Sequence, residues 1–354
     1  MKRAAATQQI RFCTSFDGTR IAYVRTGEGL PLVKAPHWLT HLEYEWTSPI
    51  WRPWIDAFSA DYSLVRMDQR AGGLSDRNPP DISLDAWVRD LEAVVDAAAL
   101  DRFALFGHSQ GAAIAIAFAH RHPERVSHLV LFGAYARGWQ HRGLSPAQIE
   151  ELEAQLKLVE AGWGRGDGTY RQMFSSQIIP GGTLEELHAL SELQRVSAEA
   201  PTAVRIMRTM ASLDVRPIAG ALQVPTLVLH GRGDRRAPFE EGRLLAGTIP
   251  EARFVPLDSD NHILLEREPA FRSFFAELRG FVSPGAAAPD PALAGLTRRE
   301  LEVLERIGQG LDNAQIAAHL GVAEKTVRNH ITRIFDKLGV ENRSQAMLVA
   351  LKRR

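Results

Sequence analysis

The chain has 354 residues, enough for two domains of ordinary size. Hydrophobic residues make up 45% and charged residues 24% of it, which excludes a disordered or fibrous protein. The longest apolar stretch, residues 111–119, is far shorter than the roughly 20 residues of a membrane helix, and residues 4–10 lack the apolar core of a secretion signal. The single cysteine, Cys13, excludes an intrachain disulfide framework. We therefore expect a cytoplasmic protein without membrane contact.

The charges are balanced in number but unevenly distributed along the chain. There are 42 Lys+Arg and 42 Asp+Glu in total, whereas residues 295–354 contain 11 Lys+Arg against 7 Asp+Glu. A basic end on a mildly acidic body is typical of a chain that binds a polyanion at one end only. A chance fluctuation of composition is the alternative.

In chain order, the first two thirds alternate short β patterns with helical patterns. A hairpin is predicted at residues 10–14 and 20–25, around a turn at Asp17-Gly18. Further strands are predicted at residues 32–34, 63–67, 103–106, 128–132, 226–230 and 253–257. Helices are predicted at residues 51–58, 84–99, 111–120, 239–247 and 270–281. This alternation predicts an α/β fold, in which a mainly parallel sheet is covered by helices on both faces.

Two segments interrupt the alternation and divide the chain. Between about residues 137 and 216 the pattern is helical only, with predicted helices at 146–160, 183–196 and 201–213. We interpret it as a cap over the edge of the sheet where open α/β sheets bind ligands. Residues 283–295 carry three prolines and two glycines and are predicted to be a linker. The predicted domains are therefore 1–282 and 296–354.

A candidate nucleophile lies between the predicted strand at 103–106 and the alanine-rich helix that follows. The sequence there is Gly107-His-Ser109-Gln-Gly111, and strand, sharp turn and helix are the context of a nucleophile elbow. Glycines flank the serine because such a turn leaves no space for side chains. The placement of Ser109, more than the short motif itself, indicates nucleophilic chemistry.

A serine hydroxyl needs a histidine to accept its proton and a carboxylate to orient that histidine. Asp234 and His262 follow the predicted strands at 226–230 and 253–257, in the chain order Ser, Asp, His. Asp258 and Asp260 are alternative acids, but they are too close in sequence to His262 to come from a separate strand end. We therefore predict the catalytic set Ser109, Asp234 and His262, with no metal and no cofactor.

With these residues, positions 10–282 resemble the α/β-hydrolase fold. The stretch Asp68-Gln-Arg-Ala-Gly-Gly-Leu-Ser75 is similar to the family loop that braces the elbow. The resemblance implies an oxyanion hole from the amides of Gln110 and of the loop containing Trp38. Trp38 stands where the family has glycine, and Pro36 has no N–H. Because one lost donor costs about 10²–10³ in turnover, slow turnover is expected.

The last sixty residues show the organisation of a helix-turn-helix DNA reader. A capping box, Thr297 with Glu300, begins a first helix that ends at Gly310, and a second helix is predicted at 313–320. The third helix, 324–338, has an apolar stripe formed by Val327, Ile331, Ile334 and Leu338. Off that stripe lie Lys325, Arg328, Asn329, Arg333 and Lys337. Arginine can recognise guanine and asparagine adenine, whereas lysine more often contacts phosphate; a merely solvated face is the alternative.

This segment resembles the LuxR-type helix-turn-helix over its full length. The positions that carry the resemblance are Leu296-Thr-Arg-Arg-Glu300, Gly310, Asn313, Ile316-Ala317, Thr326-Val327, His330, Lys337-Leu338 and Arg343-Ser-Gln-Ala346. The resemblance implies a bacterial regulator that binds double-stranded DNA as a dimer, and adds Thr326 to the DNA-binding residues. Ala323 replaces the usual serine cap, which should weaken the third helix by about 1 kcal/mol. A fourth helix, 344–352, is apolar at Ala346, Leu348 and Val349 and could form a dimer seam.

Together these patterns favour a transcription regulator whose hydrolase-like domain senses a small, largely apolar ligand. The alternative is a serine hydrolase that cleaves an ester or lactone through an acyl-enzyme at Ser109. The regulator and the hydrolase can also be one function, if slow hydrolysis or a long-lived acyl adduct at Ser109 itself changes DNA binding. A hydrolase-like shell used only for protein contacts is a weaker option.

Overall fold

The computed structural model describes residues 8–163, 169–283 and 296–351. The chain divides into two compact units, Met1–Val282 and Ser283–Arg354. Of the predicted linker, residues 284–295 lie outside the described ranges. None of the described helices combines the length and apolar character that crossing a bilayer requires.

The strands of the first unit form one sheet. They are β1 Ile10–Thr14, β2 Arg20–Thr26, β3 Leu30–Lys34, β4 Tyr62–Met67, β5 Phe103–His108, β6 Val126–Phe132, β7 Thr226–Gly231 and β8 Arg253–Leu257. Among the described residues the sheet has eight strands in the order β1-β2-β4-β3-β5-β6-β7-β8. The pairs β1–β2 and β2–β4 are antiparallel and all others parallel. The predicted hairpin and the predicted parallel sheet are both confirmed.

Helices cover both faces of this sheet. They are α1 Leu42–Thr47, α2 Trp51–Asp61, α3 Leu84–Ala97, α4 Gln110–Arg121, α5 Pro146–Gly162, α6 Thr169–Ile178, α7 Leu184–Ser197, α8 Ala200–Ser212, α9 Arg216–Ala219, α10 Phe239–Thr248 and α11 Pro269–Val282. Every helix predicted in this unit is present. The sequence missed α1 and α9, which are too short for a clear periodicity, and α6, whose polar sequence has only a weak apolar stripe.

Two apolar clusters, one on each face, hold the sheet between the helices. On one face, Trp54 of α2 packs against Phe274 of α11 with ring centroids 4.9 Å apart. Its indole N–H donates to the carbonyl of Leu264 at 2.9 Å, so the polar end of this buried ring is satisfied. Each such side chain stabilises the fold by about 1.5–3 kcal/mol when fully buried. The contact also fixes the chain just beyond β8.

The second unit consists of four helices, α12 Arg298–Gly308, α13 Asn313–Leu320, α14 Glu324–Leu338 and α15 Arg343–Leu351. Capping boxes begin α12 at Thr297 and α13 at Asp312. Gly321, with φ +63°, ends α13 in the left-handed conformation that glycine adopts without strain. The predicted helix-turn-helix is confirmed.

The fourth helix differs from the prediction of an apolar dimer seam. Ala346 is fully buried and Val349 is partly buried, and both pack into this unit's own core. Leu348 alone of the three is solvent-exposed. The apolar residues of α15 are mainly used to complete a small core, which a domain of this size needs.

Candidate active site and DNA-binding face

Ser109 occupies a sharp turn between β5 and α4. Its backbone has φ +54° and ψ −122°, a conformation that a non-glycine residue rarely adopts. Its N–H donates to the carbonyl of Phe132 at 3.0 Å, which holds the turn against β6. A Cβ atom on Gly107 would lie 2.7 Å from Cα of Ala112, and one on Gly111 2.8 Å from the carbonyl oxygen of Pro36. Both glycines of the elbow are therefore sterically required.

Asp234 and His262 lie side by side in the loops that follow β7 and β8. His262 Nδ1 is 2.6 Å from Asp234 Oδ2, and both residues are buried. The other oxygen, Oδ1, accepts the N–H groups of Arg236 at 2.8 Å and Ala237 at 3.0 Å. Burial alone would raise the pKa of Asp234, but the nearby His262 and these hydrogen bonds outweigh it and the pKa is lowered. The carboxylate is thus charged and able to orient the imidazole.

The backbone around His262 is held from several sides. Its N–H donates to the carbonyl of Ile178 at 2.8 Å, and its carbonyl lies 3.0 Å from Nε2 of His108. The alternative acids Asp258 and Asp260 are solvent-exposed, and within the described ranges neither forms an ion pair with His262. The geometry therefore favours the prediction of Asp234 over the two alternatives.

Ser109 and His262 line one small cavity of about 30 Å³. A cavity of this size can hold a water molecule or a small group. His262 Nε2 is buried and lacks a hydrogen-bond partner among the residues that the structure describes. Ser109 and His262 therefore face the same cavity without a hydrogen bond between the Ser109 hydroxyl and Nε2 of His262. An imidazole whose other nitrogen is bound to a carboxylate can act as a general base toward a hydroxyl that comes within reach.

The two predicted oxyanion-hole residues adjoin this site. Gln110 is buried directly after the elbow, and its side chain donates to Oε1 of Gln69 at 3.0 Å, so the loop beginning at Asp68 does brace the elbow. Trp38 lines the small cavity, and its ring meets that of Trp163 edge-on at 6.0 Å. The indole of Trp38 therefore limits the space beside Ser109.

Two buried basic residues near the site, Lys34 and His37, were not predicted from the sequence. The ammonium of Lys34 donates to Nδ1 of His37 at 2.7 Å, and the His37 ring packs on Trp51 at 4.3 Å. Burial lowers the pKa of Lys34 to about 8 and, with the charge of Lys34, holds the pKa of His37 well below its usual value. His37, which lines the small cavity, is therefore neutral. The sequence feature that indicates this pair is a lysine, Lys34, at the end of the buried strand β3.

A larger cavity of about 370 Å³ lies between the elbow and the helices of the predicted cap. It falls in the usual size range for small-molecule sites. Its apolar lining includes Trp139, Leu144, Leu156, Met207 and Met210. It also contains arginines that the sequence analysis missed, Arg142, Arg235 and Arg236. Ser109, Met210 and Arg236 line both cavities.

The third helix of the second unit separates into two faces. Val327, Ile331 and Ile334 point into the core. The residues predicted to bind DNA are solvent-exposed, namely Lys325, Thr326, Arg328, Asn329, Arg333 and Lys337. Among the described residues, the one ion-pair partner of Arg328 is Glu324, at 3.6 Å. This face presents free donors and positive charge.

Lys337 departs from that description. Its ammonium donates to Oε2 of Glu300 at 2.6 Å, and the Glu300 side chain is buried. Burial alone would raise the pKa of Glu300, but the hydrogen bonds from Lys337 and Thr297 outweigh it and the pKa is lowered. Since Lys337 neutralises a buried carboxylate within its own domain, we leave it out of the proposed DNA contacts.

The strand order, with a serine elbow after β5, an acid after β7 and a histidine after β8, defines the first unit as an α/β-hydrolase fold. Comparison with family models agrees. Residues 37–165 match the alpha/beta hydrolase fold, and residues 294–350 match the bacterial regulatory proteins of the luxR family. The chain belongs to the LuxR-type helix-turn-helix regulators and carries an α/β-hydrolase-fold domain ahead of its DNA-binding domain.

The curated relatives that the chain resembles include a hydrolase-superfamily protein and a transcriptional activator. AB hydrolase superfamily protein YisY of Bacillus subtilis is 27% identical over 241 residues, which cover 67% of this chain and 86% of that protein. The glycerol metabolism activator of Pseudomonas putida is 31% identical over 166 residues, covering 46% and 68%. Among solved structures, the esterase EaEST of Exiguobacterium antarcticum has a TM-score of 0.65 at 22% identity, over 77% of this chain and 98% of that one. This last likeness concerns the fold alone.

Proposed function

We propose that the protein is a transcription regulator whose α/β-hydrolase-fold domain senses a small, largely apolar ligand. In this proposal residues 1–282 form the sensor, with a helical cap at about 137–216, residues 283–295 are the linker, and residues 296–354 bind DNA. The observation that carries it is the cavity of about 370 Å³ that opens onto Ser109, in a chain that also contains a LuxR-type domain. Ligand binding would change the affinity of the DNA-binding domain for its operator.

The proposed DNA contacts are made by α14. Arg328 and Asn329 would recognise base edges in the major groove, and Lys325 would contact phosphate, with Thr326 and Arg333 beside them. We further propose that the regulator acts as a homodimer on a two-fold-symmetric site, because dimeric readers match half-site spacing to their own symmetry.

Selection of binding sequences from a random DNA pool, followed by gel shifts with the full chain, tests the regulator proposal. We expect a sequence-preferring complex on a two-fold-symmetric site. Retention of non-specific binding only, with no sequence enriched in the presence or absence of candidate ligands, would overturn it. Arg306→Ala is a charge-matched control, since Arg306 lies partly buried on α12, where it donates to Gln309.

A second candidate function is serine hydrolysis of an ester or lactone, favoured by the 2.6 Å contact between His262 and Asp234. In this mechanism Ser109 Oγ attacks the carbonyl carbon while His262 Nε2 accepts the hydroxyl proton, and Asp234 stabilises the imidazolium. His262 then returns the proton to the leaving oxygen, and water releases the acyl group by the same route. The amides of Gln110 and Trp38 would stabilise the oxyanion. Slow release of the acyl group would allow the adduct itself to act as the switch.

A fluorophosphonate probe tests this second function directly. Labelling that is abolished in Ser109→Ala and retained in Ser176→Ala, an exposed serine of α6, is the expected result. No labelling of the wild-type protein would remove the hydrolase candidate and leave the binding-only regulator. If the adduct is the switch, Ser109→Ala removes the response to ligand but leaves DNA affinity without ligand unchanged.

A further inference from the structure

Arg236 is a cavity-lining cation without a counter-ion. It is half-buried, and it lines both the small and the large cavity together with Ser109. Within the described ranges, no carboxylate oxygen lies within 4.0 Å of its guanidinium nitrogens, and its side chain forms no hydrogen bond. Arginine is seldom withdrawn from water without a partner, because the loss of hydration then goes uncompensated.

The position of Arg236 is fixed by the candidate catalytic acid. Its backbone N–H donates to Oδ1 of Asp234 at 2.8 Å, two residues earlier in the same loop. Burial lowers the pKa of the Arg236 guanidinium; Tyr135 and the carboxylate of Asp234 oppose this effect, and the neighbouring Arg142 adds to it. Arginine nevertheless stays protonated in proteins. A fixed positive charge therefore stands beside the elbow.

The neighbouring charges do not neutralise it. Arg142 also lines the large cavity, and its Nε is 3.9 Å from the carboxylate of Glu241. That carboxylate is already bound by Arg137, at 3.1 Å from its Nη2. Glu241 thus serves two guanidinium groups. Asp234, the other buried carboxylate nearby, is bound by His262. Three guanidinium groups therefore face two carboxylates, which leaves an excess of positive charge around Arg236.

The remaining charged residues of the lining are Arg235 and Glu151, which are both solvent-exposed. Because water screens these two opposite charges, they do not change the net positive charge around Arg236. The rest of the lining is largely apolar, with Met207 and Met210 of α8 among its members. The cavity therefore combines an apolar enclosure with one unpaired planar guanidinium.

We infer that the ligand has an apolar body bearing one carboxylate, which Arg236 binds within reach of Ser109. This inference rests on the proposed function of the cavity and specifies its ligand class: carboxylate-bearing esters, lactones or the corresponding acids. A guanidinium presents parallel N–H groups that match the two oxygens of a carboxylate. A single unpaired guanidinium suits a monoanion.

The test compares two ligands that differ only in that charge. The full-length Ser109→Ala protein, which cannot turn either over, is titrated calorimetrically with monomethyl adipate and with dimethyl adipate. We expect the monoester to bind at least tenfold more tightly. In Ser109→Ala/Arg236→Gln the two affinities should come within about twofold of each other, whereas Arg236→Lys should retain part of the preference. Arg232→Gln, an exposed neighbour outside both cavities, should retain all of it.

The melting temperature of the ligand-free protein distinguishes a ligand-binding role of Arg236 from a structural role. Because Arg236 has no partner, Arg236→Gln should leave the melting temperature of the ligand-free protein unchanged or raise it, whereas a structural arginine would lower it. Equal binding of the two adipates, binding of neither, or a preference that survives Arg236→Gln would overturn the inference. Fluorophosphonate labelling and operator binding are measured on the protein with Arg236 intact and without adipate, so their outcomes judge the proposed function separately.

Discussion

His262 Nδ1 donates to Asp234 Oδ2 across 2.6 Å, and this bond joins the loop after β7 to the loop after β8. It fixes the tautomer of the imidazole, since a proton on Nδ1 leaves Nε2 able to accept one. The bond is buried, so water does not compete for either partner.

Replacing Asp234 tests the importance of that bond. Asp234→Asn should reduce the rate of fluorophosphonate labelling at Ser109 by about 10⁴, because an amide can stabilise the wrong tautomer of His262. The matched controls are Asp258→Asn and Asp260→Asn, whose carboxylates are exposed, and both should label at the wild-type rate. A loss of labelling in either control, with Asp234→Asn unaffected, would identify a different catalytic acid.

The missing cap of α14 gives a stability prediction. Ala323 occupies the N-cap position with extended backbone angles, φ −70° and ψ 145°, but has no side chain to accept a hydrogen bond. Ala323→Ser should stabilise the DNA-binding domain by about 1 kcal/mol. The higher melting temperature should be seen in the transition of that domain. Ala318→Ser, at an exposed interior position of α13, should give no gain, and an equal gain there would argue against capping as the cause.

A buried arginine in the loop that follows β4 predicts a pH-dependent stability. Arg70 contacts Asp17 at 2.8 Å and Asp90 at 2.7 Å. Burial opposes ionisation of Asp17, but the hydrogen bonds from Arg70 and Thr19 outweigh it and lower its pKa to about 2. A lowered pKa stabilises the fold above the unfolded value of about 4, and this stability is lost as the pH falls toward 2.

Asp17→Asn should therefore cost about 1–2 kcal/mol at pH 7, and progressively less as the pH falls from 4 toward 2. Chemical denaturation of both proteins across this range measures the difference. Asp56→Asn removes an exposed pair with Arg52 and should change stability by less than about 0.5 kcal/mol at every pH. A cost for Asp17→Asn that is independent of pH would contradict the assignment of this effect to the carboxylate charge.

The exposed face of α14 predicts two kinds of binding defect. Arg328→Ala and Asn329→Ala should each weaken operator binding by about 1–3 kcal/mol and relax the preference at one base pair. Lys325→Ala should weaken binding to all sequences alike and reduce the salt slope by about 1. Competition binding at several salt concentrations distinguishes these results. Arg306→Ala is the control, and a similar defect there would indicate a non-specific charge effect.

The sequence predicted the elements whose residues repeat with a clear period or mark a turn. Buried strands such as β5, the elbow at Ser109 and the loops of Asp234 and His262 follow from patterns that span only a few residues. The helix α6 was missed because it is short and polar on average, although Tyr170, Met173, Phe174 and Ile178 fall at helical spacing. The roles of Arg236 and Lys337 could not be predicted, since an arginine without a partner, or a lysine with one, is defined by residues distant in sequence.

The cavities of about 30 and 370 Å³ that meet at Ser109 make the site directional. The narrow side, which Trp38 lines, has room for a small group only. We therefore expect an elongated ligand to place its smaller end on this side. The protein would distinguish the head of a ligand from its tail before it distinguished one ligand from another.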